Sequence, residues 1–215
     1  MGQIQIIVEG MTASGKSTVV DLLAERLGFN VMPEEFRDQY DLLSRFHHDR
    51  RWAFPMQLNF LVTRFAQYLC ASEENNYIMD RSIFGDKVYA MLYYRQSYFK
   101  DSQYGCYLTL YDALLKYTKA PRLLILIRCP FEEVMRRIRA RGREDEMMAG
   151  EEYWRALYDA YLPFLDFVKS EVDIPNFLVL DLADPQFIHT PSRVDSFLSE
   201  VKAFFPDRFG DGQKA

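Results

Sequence analysis

The chain has little cysteine. Cys70, Cys106 and Cys129 are the three among 215 residues, odd in number and without close pair spacing. Neither a disulfide framework nor a metal site built on cysteine is suggested, and a reducing compartment is expected. Long apolar runs are missing too, so no segment reaches the length of a bilayer span. No signal-peptide pattern occupies the N-terminus, where an apolar run and a glycine-rich turn begin almost at once. These absences predict a soluble, cytoplasmic protein with no membrane partner. Charge of one sign is also lacking. Lys and Arg number 26 against 31 Asp and Glu, a net charge of −5, so no basic field draws the chain to nucleic acid.

What is present is a globular composition, 49% hydrophobic and 27% charged, with aromatics at 15% that include 17 Phe and 14 Tyr. The aromatics suit either a large core or a pocket that stacks on planar rings. The length suits one well-buried core, which predicts a single domain over 1–209 and a disordered tail over 210–215. Short β-like runs fall at 4–9, 30–33, 77–80, 122–128 and 177–181. Helical patterns fill 16–27, 54–72, 84–98, 107–119, 131–139, 151–170 and 193–204. The run Leu123-Leu124-Ile125-Leu126-Ile127 is continuously apolar, as a parallel strand covered on both faces requires. The alternation predicts an α/β fold with a five-stranded parallel sheet and helices on both faces. Such sheets bind ligands beyond the carboxyl ends of their strands, and every motif below falls at one of those ends.

Between the first run and the first helix lies Gly10-Met11-Thr12-Ala13-Ser14-Gly15-Lys16-Ser17, two glycines separated by four residues, then Lys and Ser. In that strand–helix context the loop can aim backbone N–H groups and a helix N-terminus at one anion. Lys16 supplies a point charge for terminal phosphates, and the Ser17 hydroxyl can hold magnesium. This motif predicts nucleotide binding, and leaves open what receives the phosphate.

Glu34 and Glu35 follow the second strand. They read either as a solvated turn or as a carboxylate placed to take a proton from a hydroxyl acceptor. Asp80-Arg81-Ser82 closes the third strand. There a carboxylate can order magnesium waters and Arg81 can hold a reacting hydroxyl; the structural alternative is an Asp–Arg pair at a helix start capped by Ser82. Five arginines crowd residues 136–143. Glu132 and Glu133 precede Arg136 and Arg137 by four, so helix-surface pairs are expected there. Arg141 and Arg143 have no such upstream partner and flank Gly142, expected as a helix stop and hinge, which suits a mobile lid that closes over transferred phosphate. Gln57 and Arg64 lie seven apart on one helical face, and Asp86 complements Arg64. This set reads as a base-edge reader or as a solvated surface.

Taken together, these motifs resemble the deoxyribonucleoside kinase family over residues 3 to about 170. The glycine-rich start matches residues 8–18, the catalytic Glu-Pro motif falls on Glu34-Glu35, and the Trp-x-Phe-x-x-Gln segment falls on Trp52 to Gln57. The downstream Arg falls on Arg64, the Asp/Glu-Arg-Ser motif on Asp80-Arg81-Ser82, and the lid on residues 137–146. The resemblance implies the P-loop kinase fold with an arginine-rich lid and an ATP- and magnesium-dependent deoxynucleoside 5′-kinase. In that scheme Glu34 is the base, Arg81 holds the hydroxyl, and Lys16 polarises the γ-phosphate. Gly10, Thr12, Ala13, Ser14, Gly15, Lys16, Ser17, Thr18, Arg137, Arg141 and Arg143 contact the triphosphate, while Ser17 and Asp80 serve Mg²⁺. Gln57, Arg64 and Asp86 read the base, Tyr89 stacks on it, and Glu146 accepts the sugar 3′-hydroxyl. Two positions depart from the family. Glu35 replaces proline, and Phe46 stands where a tyrosine commonly bonds the 3′-hydroxyl. An ionised Asp86 can only accept, which favours amino-bearing bases, with deoxyadenosine ahead of deoxyguanosine and deoxycytidine. A thymidylate-kinase-like enzyme is the nearest alternative, although Glu34-Glu35 would repel an acceptor's monophosphate. A nucleotide-binding regulatory module is the second. The resemblance further implies a homodimer.

Overall fold

The computed structural model describes residues 2–34, 38–184 and 186–210, so the expectations for Glu35 and for residues 211–215 lie outside the described residues. The chain runs β1 (Ile6–Glu9), α1 (Lys16–Leu27), β2 (Asn30–Met32), α2 (Leu42–His48), α3 (Ala53–Ala71), β3 (Tyr77–Asp80), α4 (Ile83–Arg95) and α5 (Asp101–Leu115). It continues through β4 (Leu123–Arg128), α6 (Phe131–Arg141), α7 (Glu144–Met148), α8 (Gly150–Tyr161), α9 (Phe164–Glu171), β5 (Phe177–Asp181), α10 (Pro191–Ala203) and α11 (Pro206–Phe209). Five strands form one parallel sheet in the order β2-β3-β1-β4-β5.

Strand periodicity divides the core into two layers. Ile7, Leu124 and Leu126 point into a cluster shared with α3, α4, α5, α6 and α8. Their neighbours Ile6, Val8, Leu123, Ile125 and Ile127 point the other way, against α1 and α10. Successive Cβ atoms in a strand alternate faces, so an unbroken apolar run is what a sheet covered on both sides selects. The chain leaves β1 on one side and returns after β3 to the other. The loops after β1 and β3 therefore border one crevice at the carboxyl edge.

Several boundaries differ from the sequence reading. The helix expected over 151–170 is two, because Pro163 lacks an N–H and clashes with the carbonyl four residues back. The helix expected at 107–119 begins earlier, at Asp101, where Gln103 Oε1 accepts the Lys100 N–H at 2.8 Å. Lysine is not a usual cap residue, so that start was not legible. Helix α2 was unforeseen; the Asp38 carboxylate caps it by accepting the Leu42 and Leu43 amides at 2.5 and 2.8 Å. The expected Glu132–Arg136 pairing is also corrected. Glu133 takes both Arg136 and Arg137, while Glu132 lies 3.7 Å from Arg155.

Candidate active site

The loop after β1 turns through three left-handed residues, Gly10 (φ 153°), Ala13 (φ 60°) and Gly15 (φ 105°). A Cβ on Gly10 would sit 2.8 Å from the Ile127 carbonyl, so only glycine lets the loop lie this close to β4. At Gly15 it would meet Leu182 Cδ1 at 2.9 Å. Lys16 is buried, its ammonium donating to the Met11 carbonyl across the loop at 3.0 Å. Burial and the positive charge of Arg81 pull its pKa down to about 8, with Glu34, Asp80 and Glu9 opposing. Ser17 Oγ donates to Asp80 Oδ2 at 2.6 Å, while Asp80 Oδ1 is buried without a partner.

Arg81, at the end of β3, has a left-handed backbone (φ 71°) that turns its guanidinium across the crevice. It donates to Glu34 at 3.0 Å, to the Tyr161 hydroxyl at 3.0 Å and to Thr12 Oγ1 at 3.1 Å. Glu34 also accepts from Arg64 Nη2 at 3.1 Å. Burial acts to raise the Glu34 pKa. Arg81, Arg64 and Lys16 outweigh it and hold the carboxyl well below the usual carboxylate range. Its side chain is still 36% exposed, so a substrate can reach it.

Arg64 and Gln57 are both buried on α3, which settles the surface reading against a solvated face. Arg64 Nε donates to Asp86 Oδ2 at 2.8 Å, and Gln57 Nε2 donates to the Asp86 carbonyl at 3.0 Å. Burial pushes the Asp86 carboxyl up to about 6, with Arg64 opposing the rise. One arginine thus holds two carboxylates whose pKa values move in opposite directions.

These side chains line one cavity of about 800 Å³. Thr12, Ala13, Gly15, Lys16, Ser17, Thr18, Arg137, Arg141 and Arg143 border one part, and Phe46, Gln57, Arg64, Asp86, Tyr89 and Glu146 border another. Glu34, Asp80 and Arg81 also line it. Gly10 and Ser14 support the loop from behind; the buried Ser14 Oγ has no partner. Tyr89 bonds Thr12 Oγ1 through its hydroxyl at 3.0 Å, and its ring lies 5.5 Å from the Arg81 guanidinium. Phe46 is fully buried against Tyr93 and beneath Arg50.

Gly142 stops a helix, as expected, and a second helix begins two residues after it. α6 runs to Arg141, Gly142 (φ 61°) ends it in a left-handed cap, and α7 follows. Arg141 holds the buried Glu146 with two hydrogen bonds, at 2.5 and 3.1 Å, whereas Arg143 is largely exposed. Arg137 donates to the Ser14 carbonyl at 2.8 Å, fastening α6 to the glycine-rich loop. Acidic residues 144–146 supply a first turn with favourable charge, which is why this stretch is helical.

Sequence reasoning gave no role to Glu9, His47, Phe60 or Tyr161. Glu9 was a carboxylate ending an apolar strand, a polar residue where burial was expected, and that signal was available. Tyr161 offered none, since only the packing of α8 against α4 brings its hydroxyl to Arg81.

Sheet order, glycine-rich loop and arginine-bearing helix define an α/β protein of the P-loop kinase type. The chain belongs to the deoxynucleoside kinase family: a family model described as Deoxynucleoside kinase matches residues 6–206. It is 28% identical over 207 residues to a deoxyadenosine/deoxycytidine kinase of Bacillus subtilis, covering 94% of this chain and 93% of that one. Against a deoxyadenosine kinase of Dictyostelium discoideum it is 26% identical over 212 residues, covering 96% and 85%. Its fold is similar to that of deoxyadenosine kinase from M. mycoides with bound dATP, at a TM-score of 0.76 and 25% identity, covering 93% of this chain and 100% of that one. Family membership places the protein among kinases. Among the described residues, no helix is long and apolar enough to cross a membrane.

Proposed function

We propose that the protein transfers the γ-phosphoryl group of ATP to the 5′-hydroxyl of a deoxynucleoside, preferring deoxyadenosine over deoxyguanosine and deoxycytidine. The observation that carries this reading is Glu34, an accessible carboxylate gripped by Arg81 and Arg64 where the two parts of the cavity meet. On one side, Lys16 and the amides of residues 13–18 receive the triphosphate, and Leu182, Phe187 and Ile188 offer apolar surface for its base. On the other, Arg64, Asp86 and Gln57 meet the edge of the acceptor's base, beside Phe60. Relatives named for deoxyadenosine and deoxycytidine support amino-bearing bases. Tyr89 and Glu146 are assigned to the acceptor as well, Glu146 to its 3′-hydroxyl and Tyr89 to a face of the substrate.

In the reaction the 5′-oxygen forms a bond to the γ-phosphorus as the bridge to the β-phosphate breaks and ADP leaves. Glu34 orients the hydroxyl and takes its proton. Its depressed pKa makes it a weak base, which suits a loose transition state in which the nucleophile loses its proton late. Arg81 binds that hydroxyl and, with Lys16 and Arg137, stabilises charge on the transferring group. The orphaned Asp80 Oδ1 beside Ser17 Oγ fits a magnesium ion, which would neutralise phosphate charge. Among the described residues, no group of three or more His, Cys, Asp or Glu could hold a metal. Ser17 and Asp80 would hold such an ion together with the phosphates it arrives with. We assign the protein to the cytoplasm and to a homodimer; sedimentation of the purified chain checks the dimer and cell fractionation the location.

ADP release over the four deoxynucleosides, their ribose analogues and dTMP tests the function. Deoxyadenosine should give the highest kcat/KM. Activity on dTMP alone would instead establish a monophosphate kinase, and thymidine preferred over amino-bearing bases would remove Arg64 and Asp86 from base reading.

A further inference from the structure

Glu9 closes β1 with its side chain fully enclosed. Its Oε1 accepts the Ser82 amide at 2.7 Å and the Ser82 hydroxyl at 2.6 Å, and its Oε2 accepts the Gly10 amide at 3.3 Å. The carboxylate thus spans from the first residue of the glycine-rich loop to the residue immediately after Arg81. Residue 81 is itself in the left-handed region, which is strained for a non-glycine residue. Such a conformation persists only when its surroundings over-determine it. Here both flanks are held by β1: the Arg81 amide donates to the Val8 carbonyl at 2.9 Å, and Ser82 is gripped by Glu9. Enclosing a carboxylate without solvent is costly, and burial pushes its pKa up against the nearby Arg81.

We propose that Glu9 is a positioning residue, which fixes the left-handed turn at Arg81 and so sets that guanidinium against Glu34 and the phosphate loop. This rests on the role assigned to Arg81 above. A glutamine at this position keeps the volume but not the bridge. Its carbonyl oxygen can take the Ser82 donors, leaving its amide to face the Gly10 N–H, donor against donor. Gly85 offers a second handle on the same turn, through Glu9 and through Tyr161, which also holds Arg81. A Cβ there would lie 2.9 Å from both Glu9 oxygens and 3.1 Å from the Tyr161 hydroxyl, displacing the carboxylate without removing a polar group.

The test measures kcat and both KM values for Glu9→Gln, Gly85→Ala, Arg81→Ala and the double variant Glu9→Gln/Arg81→Ala. Misplacing Arg81 by a fraction of an ångström should lower kcat about tenfold to 10²-fold, with KM for ATP and for the deoxynucleoside little changed. In the Arg81→Ala background, Glu9→Gln should cost nothing further. If Glu9→Gln does not fold, Gly85→Ala carries the same expectation. Wild-type kcat in Glu9→Gln or Gly85→Ala would overturn the proposal. So would an undiminished effect of Glu9→Gln without Arg81, or losses confined to KM. A wild-type enzyme that phosphorylates no deoxynucleoside, or an Arg81→Ala variant of full activity, would instead overturn the reading beneath it.

Discussion

The two parts of the cavity are built on different principles. The side proposed for phosphate is one contiguous stretch, residues 10–18, whose candidate binding groups are mostly backbone amides set by left-handed turns. The side proposed for the nucleoside gathers residues 34, 57, 64, 86 and 146, of which 57 and 64 share α3 and the others come from elsewhere in the chain, and works through charge paired across the fold. The first fails sterically, when a Cβ enters the loop. The second fails electrostatically, when a carboxylate or its arginine loses its partner. Arg81 joins them, touching Thr12 on one side and Glu34 on the other.

The sharpest way to break the contrast is at the seam. Glu34→Gln should lower kcat by about 10²- to 10⁴-fold while leaving KM for both substrates nearly unchanged, because the proton acceptor acts in the transition state. Steady-state kinetics with deoxyadenosine checks this, and an unaltered kcat would move the base elsewhere. Next comes a lesion confined to the phosphate side. Lys16→Ala should reduce kcat/KM for ATP about 10²- to 10³-fold and leave deoxynucleoside affinity, read by calorimetry, close to wild type. A matching loss of nucleoside affinity would mean the two sides are not separable.

Asp86→Asn keeps the shape of the nucleoside side but replaces an acceptor-only group with one that also donates. Leaving a buried group mispaired costs about 1–3 kcal/mol, so the preference for deoxyadenosine over thymidine should shrink about tenfold to 10²-fold. Competition between the two substrates measures it, and an unchanged ratio would show that base choice lies elsewhere. The smallest effect is in pH. Asp86, with its pKa near about 6, must be ionised to accept an amino group, so kcat/KM for deoxyadenosine should fall as pH drops below about 6. Lys16, near about 8, must be protonated to hold phosphate, so kcat/KM for ATP should fall as pH rises above about 8. Each limb approaches about tenfold per pH unit. Glu34 stays ionised across this window, so kcat at saturating substrates should show no acid limb. An acid limb there would assign the titration to the chemical step.

Legibility followed the same division. The phosphate loop, β3, β5 and α1 were placed at their observed bounds because each carries local chemistry: a glycine pattern, a continuous apolar run, a 3.6-residue stripe. The Arg64–Asp86 pair was legible as an option and needed burial to settle it. Gly142 was placed as a helix stop, and it is the left-handed cap of α6; the helix that follows it at Glu144–Met148 was not legible. Glu146 was assigned to the sugar 3′-hydroxyl with no protein partner foreseen, and Arg141 holds it. That contact depends on how α7 folds back, which no local pattern encodes.

The sequence by itself determined the parallel sheet, the glycine-rich turn at its edge and the identities of the groups that meet there. Those follow from short-range rules of backbone sterics and side-chain periodicity. Only the tertiary structure decided which charges share a partner: that Arg64 serves both Glu34 and Asp86, that Tyr161 and Thr12 hold Arg81, and that Glu9 ties its turn to the loop. Electrostatic character depends on burial and on neighbours distant in sequence, and both exist only once the chain has folded.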